Sequence, residues 1–306
     1  MAAANPFKGI IPPVSTIFNK NGKLDQAGMS LLINDLISRG VHGLFFLGTG
    51  GEFSQLTIEE RKEVAEFAVK EVNGRVPVLI GTGGLNTKSV IELNKHAKAI
   101  QADGVVVVNP YYLKLSEENL YRHYSEIAEH TELPILLYNF PALTGQNLSA
   151  GLVLRLVNQY NHIVGIKETV EKIGHIREII LKVKSGNPEF RVLCGYEDLF
   201  LDTLTFGGDG IIGAGSNFAP ELSIDLYDAF LRGDYQRAVE LNKRLAMIPE
   251  MYKLDTPFIN VIKEAIAMSG LNISTEVLPP VRPLDEEKKK ELENILKQAE
   301  ILAKNV

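Results

Sequence analysis

The chain has 306 residues, 45% of them hydrophobic and 23% charged, the ordinary range for a globular protein of one large or two small domains. Its formal charge of −6 at pH 7, with lysines spread along helical stretches, argues against a basic nucleic-acid surface and favours small-molecule partners. One cysteine, Cys194, rules out an intrachain disulfide; "MAAANPFKG" shows no leader pattern and no apolar run nears the roughly 20 residues of a membrane helix, so a cytoplasmic protein without membrane contact is expected.

Short apolar, β-branched runs recur along the chain, each followed by a longer stretch with helical spacing. The first is "IIPPVSTIF" from Ile10, and the second "GLFFLG" from Gly43. Next, "TIEERKEVAEFAVKEV" places Thr57 and Glu60 at capping-box spacing and gives Ile58, Val64, Ala65, Phe67 and Ala68 one apolar face, which predicts a helix. The runs "VPVLIG" from Val76, "GVVVVN" from Gly104, "PILLYN" from Pro134, "IVGIKE" from Ile163, "RVLCG" from Arg191 and "GIIGAG" from Gly210 complete a set of eight. Eight βα units predict a closed (β/α)8 TIM barrel over residues 1–219, with a doubly wound open sheet as the alternative because strand order is not written in the sequence. From Pro220 onward the strand runs stop and helical periodicity takes over, giving the last barrel helix and a C-terminal helical extension over residues 220–306. Its charged run "DEEKKKE" reads as a solvated helix face.

In such a barrel, polar side chains at the C-terminal ends of the strands surround the mouth where substrates bind. The sixth run poses the sharpest question: "HIVGIKET" ends an apolar strand in Lys167, and an unpartnered buried ammonium is costly. Lys167 is either a structural lysine, with a carboxylate partner or its stem along apolar residues, or a nucleophile. For the second role, desolvation in an apolar barrel favours the free amine, which can attack a ketone and form a Schiff base. Tyr138 ends the preceding strand, so its hydroxyl is a candidate for moving protons beside that amine, the alternative being a core tyrosine. In the turn "GTGGE" the N–H groups around Gly50 and Gly51 can converge on a carboxylate while Thr49 adds a hydroxyl, although glycine serves any sharp strand-to-helix turn. Glu197 and Asp198, after the seventh run, are candidates for binding substrate hydroxyls or else form a solvated acidic loop, and Ile212 and Gly213 end the eighth run at the same mouth. Dinucleotide fingerprints fail at Phe53 and Asn86, and no Walker G-K-[ST] follows either turn. The six histidines fall in predicted helices or near the wrong ends of strands, mostly at expected surface positions, so no metal-ligand set is expected. Cys194 reads as a small buried apolar residue rather than a nucleophile.

The ordered set "GTGGE", "NPYY", "YNFPALTG" and "GIKET" resembles the pyruvate-dependent class I aldolase and lyase superfamily that includes dihydrodipicolinate synthase and N-acetylneuraminate lyase, over nearly the whole chain. The resemblance implies a homotetrameric barrel that uses no metal or separate cofactor, only a covalent Schiff base between a lysine and pyruvate or a keto acid. By it, Lys167 matches the Schiff-base lysine, Tyr138 the acid/base tyrosine and Thr49 the relay hydroxyl, while Gly50 and Gly51 fall in the carboxylate-binding turn. Tyr112, in "NPYY", matches a tyrosine that reaches into the neighbouring subunit's site. Two positions depart from the pattern. Gly50 replaces a second hydroxyl residue, and Leu143 stands where dihydrodipicolinate synthases carry an arginine for a second carboxylate. The phrases "YNFPALTGQ", "LCGYED", "LDTPFINVIKEA" and "VLPPVRPLDE" are most similar to the 2-keto-3-deoxygluconate aldolase branch. The expected activity is therefore reversible cleavage of a 2-keto-3-deoxy sugar acid to pyruvate and an aldehyde. Dihydrodipicolinate synthase, N-acetylneuraminate lyase and a catalytically silent binding or regulatory barrel are the alternatives.

Overall fold

Side chains alternate across a strand, and that alternation separates two apolar layers in this chain. In β4, Val106 and Val108 point inward with Leu79, Leu136, Leu193 and Ile212, while Val105 and Val107 join the larger layer beneath the helices. The structure, a computed structural model, describes residues 5–302. Its strands are β1 (Gly9–Ile10), β2 (Leu44–Phe46), β3 (Val78–Gly81), β4 (Gly104–Val108), β5 (Ile135–Asn139), β6 (Ile163–Glu168), β7 (Arg191–Cys194) and β8 (Gly210–Ile211). All pair in parallel in the order β1-β8-β7-β6-β5-β4-β3-β2. The remaining seam is joined by backbone bonds from Phe45 N–H to Pro12 O (3.0 Å) and from Val14 N–H to Phe45 O (2.8 Å). The sheet is thus a closed barrel, and the open doubly wound alternative is excluded.

The first run forms a shorter strand than its composition suggests. Pro12 and Pro13 have no N–H to donate, so regular pairing stops at Ile10 and the segment continues only through single bridges at Pro13 and Phe18. A second irregularity lies between β5 and β6. Ile135 pairs with Ile163, but Leu136 pairs with Gly165, so Val164 is an extra residue and the register shifts by one. The carbonyl of Val164 accepts a hydrogen bond from Asn5 Nδ2 at 2.9 Å, and Gly165 passes so close to β7 that a Cβ would lie 2.8 Å from Arg191 O.

Thirteen α-helices are present among the described residues: α1 (Gln26–Ser38), α2 (Ile58–Val72), α3 (Thr87–Ala99), α4 (Glu117–Glu129), α5 (Pro141–Thr144), α6 (Ala150–Gln159), α7 (Ile173–Lys182), α8 (Phe200–Thr205), α9 (Pro220–Leu231), α10 (Tyr235–Leu245), α11 (Ile248–Met251), α12 (Ile259–Met268) and α13 (Glu286–Gln298). The α2 capping box forms as expected, Thr57 and Glu60 each bonding the other's backbone N–H. Its buried face holds Val64, Ala65 and Ala68, and also Arg61, which the apolar pattern omits. The Arg61 guanidinium donates to Gly81 O and Gly83 O at 3.0 Å each, and burial pushes it down to about 10. In the extension, α12 packs on the turns that follow β2 and β8, and α11 on the turn after β7. The extension therefore reaches the barrel mouth. In α13 the charged run exposes Glu286, Glu287, Lys290 and Glu291, while Lys288 pairs with Asp255 at 3.0 Å.

Candidate active site

The register shift places Lys167 of β6 directly beside Tyr138 of β5, with both side chains inside the barrel. Lys167 is 4% exposed, and its Nζ lies 4.1 Å from the centre of the Tyr138 ring and 5.3 Å from that of Phe45. The Tyr138 hydroxyl is 3.2 Å from Thr49 Oγ1, either group being able to donate. An amine, a phenol and a second hydroxyl thus stand in sequence at the wall of one cavity, on three different strand ends. Gly50 lines the same cavity, as do Phe140 and Thr169, each two residues beyond Tyr138 and Lys167 along their strands. Among the described residues, Lys167 is the only charged side chain in that lining. A wider hollow of about 590 Å³ adjoins it and shares Thr169 and Tyr196.

The turn "GTGGE" is a tight 3₁₀ turn over Thr49–Gly51. Its two glycines differ in situation. Gly50 faces the cavity, whereas Gly51 donates its N–H to Gly48 O at 3.0 Å and its carbonyl accepts from Thr16 Oγ1 at 2.8 Å. The amides at the head of the turn, Thr49 and Gly50, are those a 3₁₀ turn leaves without an internal acceptor. Of the N–H groups named in the sequence for this turn, that of Gly51 therefore serves the turn's own bonding.

The profile of the dihydrodipicolinate synthetase family matches residues 6–299. The chain belongs to that family. It is 54% identical over 295 residues to YagE of Escherichia coli K12, provisionally named a 2-dehydro-3-deoxy-D-gluconate aldolase, covering 96% of this chain and 98% of YagE. It is 48% identical over 296 residues to YjhH of the same organism, provisionally named a 2-dehydro-3-deoxy-D-pentonate aldolase, covering 97% and 98%. The crystal structure of YagE in complex with pyruvate superposes with a TM-score of 0.96 at 53% identity, covering 97% of this chain and all of that one. The dihydrodipicolinate synthase of Aquifex aeolicus gives a TM-score of 0.91 at 33% identity, covering 98% and 100%. As a member of the dihydrodipicolinate synthetase family, the chain is a pyruvate-dependent carbon–carbon lyase.

The remaining candidates lie in varied places on this family framework. Ile212 lines the cavity, but Gly213 backs onto Glu197, whose Oε1 would lie 2.7 Å from a Cβ there. Glu197 itself is neither a solvated loop residue nor a wall of the cavity. It is fully buried, accepting from Gly215 N–H at 2.7 Å and from the Tyr252 hydroxyl at 3.0 Å. Burial pushes its carboxyl up to about 7, against the opposing effect of those two donors. Asp198 is exposed. Leu143, on α5, is 55% exposed and stands outside the cavity lining, while Tyr112 is 92% exposed with a left-handed backbone, φ 76°. Cys194 is buried in the outer layer, away from the cavity, and burial pushes its thiol up.

Most of the histidines depart from the expected surface positions. His130 is exposed, but His123 is buried and pushed down to about 4 by burial, and the other four are half-buried. His175, at the start of α7, lies at the C-terminal side of the barrel, its Nε2 3.3 Å from Glu168 Oε1. Burial would lower His175, but the adjacent Glu168 carboxylate holds it above the ordinary imidazole range. Glu168 is raised by burial despite His175 and a 2.9 Å bond from Asn139 Nδ2. The sequence reading also missed Tyr252 and Phe258, which reach the cavity from the extension. Thr169 and Phe140 carry a signal that alternation could have supplied, since each shares a face with a named neighbour.

Proposed function

We propose that this enzyme reversibly cleaves a 2-keto-3-deoxy sugar acid, such as 2-keto-3-deoxygluconate, to pyruvate and a hydroxyaldehyde. The observation that carries this reading is the buried Lys167 amine packed on Tyr138, whose hydroxyl meets Thr49 at 3.2 Å. Lys167 attacks the C2 carbonyl and water leaves, giving a protonated imine bound through nitrogen. Tyr138, relayed by Thr49, takes the proton of the C4 hydroxyl as the C3–C4 bond breaks. The aldehyde departs, and the bonding pair flows into the iminium to leave an enamine. Protonation of the enamine at C3 and hydrolysis return the amine and release pyruvate. The amides of Thr49 and Gly50 receive the carboxylate.

Three observations support a neutral, hydroxylated aldehyde half. Position 143 holds a leucine, which supplies no partner for a second carboxylate, the cavity lining among the described residues offers no cation besides Lys167, and the adjoining hollow, where Lys172 is accompanied by Glu171 and Glu178, has room for a polyhydroxyl chain. The names of YagE and YjhH favour the same substrate class at six and five carbons. In this reading the protein is a cytoplasmic homotetramer, and the highly exposed Tyr112 of one subunit completes the site of its neighbour. The test is pyruvate release from a panel of six- and five-carbon 2-keto-3-deoxy sugar acids, with N-acetylneuraminate included, beside condensation of pyruvate with glyceraldehyde or aspartate semialdehyde. Release from the deoxy sugar acids and a higher kcat/KM for glyceraldehyde are expected. A preference for aspartate semialdehyde would overturn the reading in favour of dihydrodipicolinate synthase, and pyruvate release from none of the panel would favour the silent barrel.

A further inference from the structure

Directly after the Thr49–Gly51 turn, the chain enters an ion pair sealed from water. Glu52 has a left-handed backbone, φ 58°, and its Oε1 lies 2.5 Å from Lys263 Nζ, both side chains being fully buried. Glu52 Oε2 accepts from Leu278 N–H at 2.8 Å, and Lys263 Nζ donates to Glu276 O at 2.7 Å. Lys263 also sits over the Phe18 ring, 4.6 Å from its centre. One carboxylate therefore ties the exit of the turn after β2 to α12 and to the segment around Leu278, two parts of the C-terminal extension distant in sequence. Beside this pair, Ile262 lies against Gly50, its Cδ1 3.8 Å from the place a Cβ would take.

Stability alone gives a weak reason for such a pair, because desolvating two charges offsets their attraction, and neutral groups of similar volume often serve as well. Geometry gives a stronger one. A carboxylate and an ammonium held by two further hydrogen bonds and an aromatic ring keep a direction and a distance that apolar packing leaves looser. The residue so held adjoins the turn whose head faces Lys167.

We propose that the buried Glu52–Lys263 pair positions the Thr49–Gly50 turn, so that capture of the keto acid's carboxylate depends on the C-terminal extension. Glu52 and Lys263 are positioning residues in this assignment and touch no substrate. The inference rests on the carboxylate-binding reading of the turn given under Proposed function.

The experiment is borohydride trapping of pyruvate on Lys167, titrated with pyruvate, in the full-length wild type, in the double variant Glu52→Gln/Lys263→Met, and in Glu52→Asp. The double variant replaces the pair by neutral groups of similar volume and should keep a melting temperature near that of the wild type. Its pyruvate concentration for half-maximal trapping should rise about tenfold, while the trapping rate at saturating pyruvate changes less than about threefold. A purely structural pair predicts no such split, so half-saturation within about twofold of wild type in a folded double variant would overturn the proposal. Should the double variant fail to fold, Glu52→Asp decides, since it keeps both charges and shortens the reach by one methylene. It should raise half-saturation by about threefold with the saturating rate retained, and unchanged half-saturation would overturn the proposal equally. Absence of any adduct in wild type would instead overturn the Schiff-base reading on which this role depends.

Discussion

Tyr138 is the residue where the groups of the cavity meet, with its ring under the Lys167 amine and its hydroxyl on Thr49. Replacing it by phenylalanine removes one oxygen and leaves the ring that packs against Lys167. Tyr138→Phe should therefore lower kcat by roughly 10²- to 10⁴-fold, the usual scale for an acid/base group, while Lys167 still forms a borohydride-reducible adduct. Steady-state rates beside mass spectrometry of the trapped peptide check both halves, and near-normal turnover would exclude the role. Glu197 makes a different prediction. Its carboxyl is raised from 4.5 to about 7 in the folded chain by burial, so between those values the folded state binds more protons than the unfolded state. Its contribution to stability is complete below the unfolded value and is lost as pH rises through the folded one, by up to roughly 3 kcal/mol. Glu197→Gln, which does not titrate, should flatten that fall between about pH 4.5 and pH 7 in urea unfolding. An unchanged pH profile would show that Glu197 is not its source.

At the scale of an element, the decisive feature is the extra residue in β6. A regular ladder from Ile135 and Ile163 would set Tyr138 beside Ile166 and turn Lys167 toward the helices; the shift at Val164 sets it beside Lys167. Asn5 stabilises the shift by donating to the Val164 carbonyl, and Gly165 permits it because no side chain fits against Arg191 O. Gly165→Ala would place a methyl 2.8 Å from that carbonyl oxygen. It should cost about 1–3 kcal/mol in denaturant unfolding and reduce the yield of trapped pyruvate as the β6–β7 spacing opens. A variant with wild-type stability would mean that β7 yields at no cost. The α5 helix shows the contrasting case, since Leu143 turns its side chain toward solvent and leaves the wall of the cavity to Phe140.

At the scale of the whole molecule, the extension covers the mouth of the barrel, contributing Tyr252 and Phe258 to the cavity and Lys263 beneath its turn. Tyr112 is absent from the lining of its own chain's cavity and is 92% exposed, on a left-handed backbone that costs of order 1–3 kcal/mol to hold. A subunit contact that uses the ring would offset that cost. Sedimentation velocity should show an oligomer, and Tyr112→Ala should weaken it or lower turnover by at least about tenfold with the fold retained. A fully active wild-type monomer would contradict the shared site.

The sequence by itself determined the eight strand runs, the α2 capping box and the ends at which Thr49, Tyr138 and Lys167 stand, because these depend on local periodicity and on the rule that strand ends form the mouth. Alternation could have extended that knowledge to Thr169 and Phe140, which the sequence reading left out. It could not show that Glu197 turns inward to Tyr252, that His175 meets Glu168, or that Glu52 and Lys263 pair, since each contact joins segments brought together only when the barrel closes and the extension folds back. The register of β6 belongs to the same class. A single extra residue leaves the local apolar pattern intact, yet the choice of which face Lys167 occupies is made by pairing with β5 and β7, by the space beside Gly165 and by a hydrogen bond from Asn5, 159 residues away.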